Sequence, residues 1–166
     1  IKNHAIDLVV IGAHGAKDTE HRFIGSTAQR VLRTALCPVL SVKKETYLTE
    51  LKKIVFVSDF NEGITSALNV VKNLAYDFGA DIDLVYVNTP THFEDDSEIE
   101  KRMKKYVNVK KGTKIQTYIE NNHERETGIL HSAKKHDANL IAMVTHSRAH
   151  KASYLMGVTE TVLFHS

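Results

Sequence analysis

Gly12 and Gly15 are separated by two residues, and nine residues later comes Gly25-Ser26-Thr27. These residue types at this spacing suit anion binding. Glycine lets the backbone approach a phosphate closely, and a helix start offers unpaired N–H groups at the positive end of its dipole. The stretch lies between an apolar run, Leu8-Val9-Val10-Ile11, and a helical pattern that ends at Cys37-Pro38-Val39-Leu40. It reads as strand, phosphate-binding loop and helix N-terminus, with Ser26 as the helix cap. Other reactive types form weaker patterns. His146 and His150 have the four-residue spacing of zinc ligands on a helix, but their stretch reads as loop and offers no third ligand. His14, Asp18 and His21 carry acid–base groups without the nucleophile and carboxylates that a hydrolase or phosphotransferase would group with them. The other histidines are scattered, and most are expected to be exposed. Cys37, the one cysteine, sits beside Pro38 in an apolar segment and reads as a packed thiol.

The elements that must position these residues follow from periodicity. Residues 7–11 form a continuous β-branched run, a strand covered on both faces. Ala28, Val31, Leu32, Ala35 and Leu36 share one helical face, Pro38 stops that helix, and residues 39–42 read as a second strand. Residues 43–51 are polar and form a connector. A new series begins with a strand at 54–57 that ends in Ser58-Asp59-Phe60-Asn61. A helix follows from near Asn61, for which Asp59 is a candidate cap, through Ile64, Leu68 and Val71 to a stop at Gly79. Strands are expected at 82–87, 113–119 and 140–144. Helices are expected at 98–109, with Ile99, Met103 and Tyr106 inward, and at 124–136. The charged cluster at 101–111 reads as a solvated helix face. Strands alternating with helices predict a parallel sheet with right-handed crossovers.

Composition is that of an ordinary globular chain: 166 residues, 42% hydrophobic, 25% charged, formal net charge +2. No basic patch with interleaved aromatics speaks for nucleic acid, and no apolar run approaches a membrane span. A reducing cytoplasmic setting is expected.

The chain also repeats itself. An offset of 132 places His14 on His146, His4 on His136, Leu8 on Leu140, Val9 on Ile141, Ile11 on Met143, Gly25 on Gly157 and Thr27 on Thr159. The same offset places Gly12 on Val144, Gly15 on Ser147 and Ser26 on Val158. The first copy thus keeps the phosphate-binding residue types and the second has lost most of them. The chain opens without methionine directly before a strand and ends in a helix. The expectation is a fragment: residues 1–44 as the last part of one domain, 45–52 as linker, and 53–166 as a sister domain lacking its final strand.

These features resemble the universal stress protein family. The resemblance rests on Gly12-x2-Gly15-x9-Gly25-Ser26, on Cys37-Pro38-Val39-Leu40-Ser41-Val42 and on the strand leading to Asp59. It implies an α/β fold of adenine nucleotide α-hydrolase-like type, a doubly wound parallel five-stranded sheet of order 3-2-1-4-5, in tandem arrangement. It also implies ATP at the carboxyl ends of the strands, with magnesium only as the nucleotide's companion. Carried over, Gly12, Gly15, Gly25 and Ser26 hold phosphates and ribose, with His14 and Thr27 beside them, and Asp59 matches the aspartate that meets adenosine. Asp59 belongs to the second domain and the intact loop to the first, so neither site is complete within this chain. Little or no ATP binding is expected from the fragment alone. The family dimerises through its last strand, which implies a homodimer through the edge strand at Val39–Val42. The function expected is a nucleotide-binding stress-response module, with an ATP hydrolase or a nucleotide-independent scaffold as alternatives.

Overall fold

Ile54, Val55, Phe56 and Val57 are apolar without a break, and β-branched or aromatic types favour a pleated strand buried on both sides. In the computed structural model they form β3 (Lys53–Val57), a strand of the chain's larger unit that is buried from Ile54 to Val57. Residues 6–12, 26–43, 47–61, 63–108, 112–144, 158–159 and 161–163 are described. The chain divides into two compact units, 1–46 with 145–166, and 47–144.

In the first unit, β1 (Val9–Gly12) leads to α1 (Ser26–Thr34) and then β2 (Val39–Val42). The two strands are parallel, with Val9 opposite Val39 and Gly12 opposite Val42. Ser26 is the first helical residue, one step inside the capping position expected from sequence. Ala28 of α1 is buried, whereas Cys37 is a half-buried free thiol. Residues 158–159 and 161–163 are helical, with Val158 and Val162 buried.

The second unit runs β3, α2 (Thr65–Phe78), β4 (Asp81–Asn88), α3 (Asp96–Lys104), β5 (Ile115–Asn121), α4 (Arg125–Lys135) and β6 (Leu140–Met143), after a short 3₁₀ turn at Leu48–Glu50. Its sheet is fully parallel with order β5-β4-β3-β6. These are the first four places of the order 3-2-1-4-5. Ile54, Phe56, Ile82, Leu84 and Tyr86 point to one face, where Leu68, Val71 and Ala75 of α2 and Ile99 and Met103 of α3 close the main core. Leu140, Ala142 and Val144 pack against the same core from β6.

Chain punctuation explains the boundaries. Gly79 adopts the left-handed conformation (φ 66°) that ends α2, and the Ala80 N–H returns to the Ala75 carbonyl at 2.8 Å. The Asp95 carboxylate accepts from the Ser97 N–H at 2.9 Å, so α3 starts two residues earlier than periodicity suggests and ends well before 109. Lys72 of α2 donates to the carbonyls of Tyr106 and Asn108, groups that the end of α3 leaves open, and burial lowers its ammonium pKa. Helix α2 begins at Thr65 with no side-chain cap, so Asp59 does not cap it; its carboxylate serves the turn described below.

Gly128 has a packing role. A Cβ there would lie 2.5 Å from Val87 Cγ1 and 3.0 Å from Asn122 Cβ, so the glycine lets α4 approach β4. Alanine ordinarily favours a helix interior by about 1 kcal/mol over glycine. Here Gly128→Ala is expected to destabilise the protein by about 1–2 kcal/mol through overpacking. Pairing it with Val87→Ala should recover part of the loss in urea unfolding; a stabilised single variant would contradict the contact.

Candidate functional site

The predicted phosphate loop begins and ends where the sequence places it. Gly12 is the last residue of β1, and α1 opens at Ser26 with Thr27 exposed in its first turn. The connection therefore joins the carboxyl end of a parallel strand to a helix N-terminus, the geometry that concentrates free N–H groups. His14, Gly15 and Gly25 lie outside the described residues, as do His146 and His150. In the second copy, Val144 follows β6 and packs on the main core, and Val158 is buried at the corresponding helix. Both positions place a branched side chain where the first copy has Gly12 and Ser26. Among the described residues no cluster of metal-ligating side chains occurs.

Asp59 stands at the carboxyl end of β3, in a turn built from its own side chains. The Ser58 hydroxyl accepts from the Phe60 N–H at 3.2 Å. The Asp59 carboxylate takes the Asn61 N–H at 3.2 Å on one oxygen and the Asn61 amide at 3.0 Å on the other. Phe60 has φ 56°, a strained conformation for a bulky residue. It is held there by burial against Phe56 and Tyr106, whose rings lie 6.3 and 6.2 Å away. Tyr106 also donates its hydroxyl to the Asn61 carbonyl at 3.3 Å. Both Asp59 oxygens are thus committed to the loop that carries them.

Beside this turn, the carboxyl end of β4 carries a network that sequence reasoning missed. Asn88 clasps the Glu94 backbone at both its N–H (3.1 Å) and its carbonyl (3.0 Å). The Glu94 carboxylate receives the Tyr86 hydroxyl at 2.7 Å and the Arg102 guanidinium, which also lies 5.7 Å from the Tyr86 ring centre. The Arg102 hydrogen bond holds the Glu94 carboxyl below its ordinary range. Arg102 is therefore an internal partner, whereas Lys101, Lys104 and Lys105 form the solvated face expected of this helix. Burial, followed by the bond to Glu94, pushes the Tyr86 phenol up to about 12.

That shift has a pH consequence. The neutral phenol is favoured in the folded state, so its contribution is full below the ordinary tyrosine pKa near 10 and is lost as pH rises towards about 12. Tyr86→Phe should remove that alkaline component of the stability profile while costing about 1 kcal/mol at neutral pH. An unchanged profile between pH 10 and 12 would refute the assignment.

A second network lies under α4, on the other face of the sheet. Asp83, almost fully buried in β4, receives His136 Nδ1 at 2.9 Å and Lys53 Nζ at 3.3 Å. The His136 side chain is only 9% exposed, contrary to the expectation for the scattered histidines, and meets the Tyr118 ring edge-on at 4.2 Å. Glu120 of β5 pairs with His131 at 2.7 Å and Lys135 at 3.3 Å. The signal in sequence was a carboxylate, Asp83, inside an otherwise apolar strand. Ser132 Oγ and His136 Nε2 are buried without partners among the described residues, and they do not bond each other. A serine–histidine–aspartate relay is therefore not assembled here.

The profile of the universal stress protein family matches residues 1–43, the segment that holds β1, α1 and β2. The fold of the whole chain agrees. A universal stress protein from Archaeoglobus fulgidus superposes with a TM-score of 0.73 at 20% identity, over 96% of this chain and 57% of its own. A putative universal stress protein from Pseudomonas aeruginosa gives 0.67 at 18% identity, over 95% of this chain and 59% of its own. A second, shorter Archaeoglobus fulgidus universal stress protein gives 0.54 at 17% identity, over 68% of this chain and 90% of its own. The chain thus spans less than two thirds of the longer structures it resembles. No curated protein sequence matches it. No helix among the described residues is long and apolar enough to cross a membrane.

Proposed function

We propose that this chain is a universal stress protein, a nucleotide-responsive binding module whose adenine-nucleotide site lies in the first unit. The observation that carries the reading is the strand–loop–helix connection from Gly12 to Ser26, within the segment that matches the family. Gly12, Gly15 and Gly25 allow close approach of phosphates, and Ser26 and Thr27 supply hydroxyls at the helix start, with His14 alongside. ATP, with the magnesium ion it brings, is the ligand. The second copy of the repeat is degenerate. Partly buried Val144 and buried Val158 replace the glycine and serine of the loop, and the carboxylate of Asp59 is consumed by its own turn. Assembly proceeds as a homodimer through the β2 edge at Val39–Val42, in the cytoplasm.

Asp59 lies in the second unit, and the first unit carries no counterpart of β3 among its described residues. ATP should therefore bind weakly or not at all to the 166-residue chain. It should bind tightly to a polypeptide extended by the upstream part of the first domain. Isothermal titration of both tests this. Tight binding by the 166-residue chain, or none by the extended one, would overturn the proposal.

A further inference from the structure

The turn after β3 is tied to α2 by a chain of contacts that runs through Tyr106. Lys72 Nζ in α2 donates to the Tyr106 carbonyl at 2.8 Å and to the Asn108 carbonyl at 2.6 Å. These bonds fix the segment that leaves α3. From that segment the Tyr106 ring packs on Phe60 at 6.2 Å, and its hydroxyl donates to the Asn61 carbonyl at 3.3 Å. Phe60 and Asn61 are the residues whose backbone N–H groups close the turn, one on the Ser58 hydroxyl and the other on the Asp59 carboxylate.

The closed turn is strained. Phe60 has φ 56°, a region that a bulky residue rarely occupies and that persists only where the surroundings impose it. The Phe56 and Tyr106 rings impose it, and the segment carrying Tyr106 is held by Lys72. Nearby, one group is incompletely paired. Arg102 uses Nη1 for Glu94, while its Nε and Nη2 are buried with no hydrogen-bond partner among the described residues. Those two donors form the side-on edge of the guanidinium, which takes both oxygens of a carboxylate. Leaving them unpaired is costly. The Asp59 charge acts on both Arg102 and Glu94 across the ends of β3 and β4.

We infer that the turn after β3 is a two-position switch held by Lys72 and Tyr106. With both engaged, the Asp59 carboxylate stays on Asn61. With that latch released, Phe60 leaves its strained conformation and the Asp59 carboxylate pairs with the open edge of Arg102. The inference concerns the second unit and stands apart from nucleotide binding in the first.

Amide exchange and the Arg102 side-chain resonance read the two positions separately. Lys72→Met keeps an apolar stem and removes the donors. It should speed exchange at the Phe60 and Asn61 amides about tenfold and leave the Leu84 amide within about twofold. The Arg102 Nε–H resonance should shift in the same variant. In an Asp59→Asn background, Lys72→Met should produce no such shift. Lys72→Arg retains donors and should behave like the unsubstituted protein. Tyr106→Phe keeps the ring and loses only the hydroxyl bond, so the same pattern should follow at smaller amplitude. If Lys72→Met does not fold, Tyr106→Phe decides. Exchange that rises equally at Leu84 would mean general loosening and would overturn the inference. So would Phe60 and Asn61 amides that keep their original rates, or an Arg102 resonance that stays in place.

Discussion

Gly12→Val in the ATP-binding polypeptide is expected to weaken ATP at least tenfold and up to about a hundredfold, a loss of roughly 1.4 to 2.7 kcal/mol. The substitution copies into the first unit the residue that the second unit already carries at Val144. A valine at the strand exit adds a branched side chain at the point where phosphate oxygens must approach the backbone, and it changes no charge. Gly12 is exposed at the end of β1, so the fold should survive, and the melting temperature without nucleotide should stay within a degree or two. The partner experiment is Asp59→Ala. It breaks the carboxylate's hydrogen bonds to Ser58 and Asn61 in the turn after β3 and should soften that turn without altering ATP affinity. Equal loss of affinity in both variants would place the nucleotide in the second unit and contradict the reading.

The second large effect is on stability. His136→Leu should destabilise the second unit by about 2–4 kcal/mol, because Asp83 stays buried with only Lys53 to compensate it. Asp83 sits in the middle of β4 and cannot turn to solvent without breaking the ladder to β3 and β5. Replacing both partners, as Asp83→Leu with His136→Leu, should recover much of the loss. The carboxylate is then gone, and Lys53, which is partly exposed, can reach water. Urea unfolding followed by backbone circular dichroism checks both. A single variant within 0.5 kcal/mol of wild type, on the scale expected for a surface change, would show that the pair does not hold α4 to the sheet.

Local patterns carried most of the architecture. The unbroken apolar run at Ile54–Val57 had one physical solution, a strand buried on both faces, and Gly79 marked its helix end because only a left-handed residue suits that position. Boundaries were less legible where a side chain overrides periodicity. Asp95 starts α3 early, and a helix expected near Asn61 waits until Thr65 because the Asp59 turn intervenes. At the candidate site, Gly12 and Ser26 were legible because glycine and hydroxyl types at a strand exit and a helix start have few other uses. The Tyr86–Glu94–Arg102 and Asp83–His136–Lys53 networks were not legible. Their members are 8 to 53 residues apart and meet only when β3, β4, α3 and α4 are packed. Nothing in the local types of His136 distinguishes it from His123, yet the first is nearly enclosed and the second is exposed.

The central claim is that one unit holds ATP and its sister does not. Equilibrium dialysis of ATP against the upstream-extended polypeptide tests it most directly. The account predicts one nucleotide per chain, lost on Gly12→Val and retained on Asp59→Ala. Two nucleotides per chain, or one that survives Gly12→Val, would contradict it.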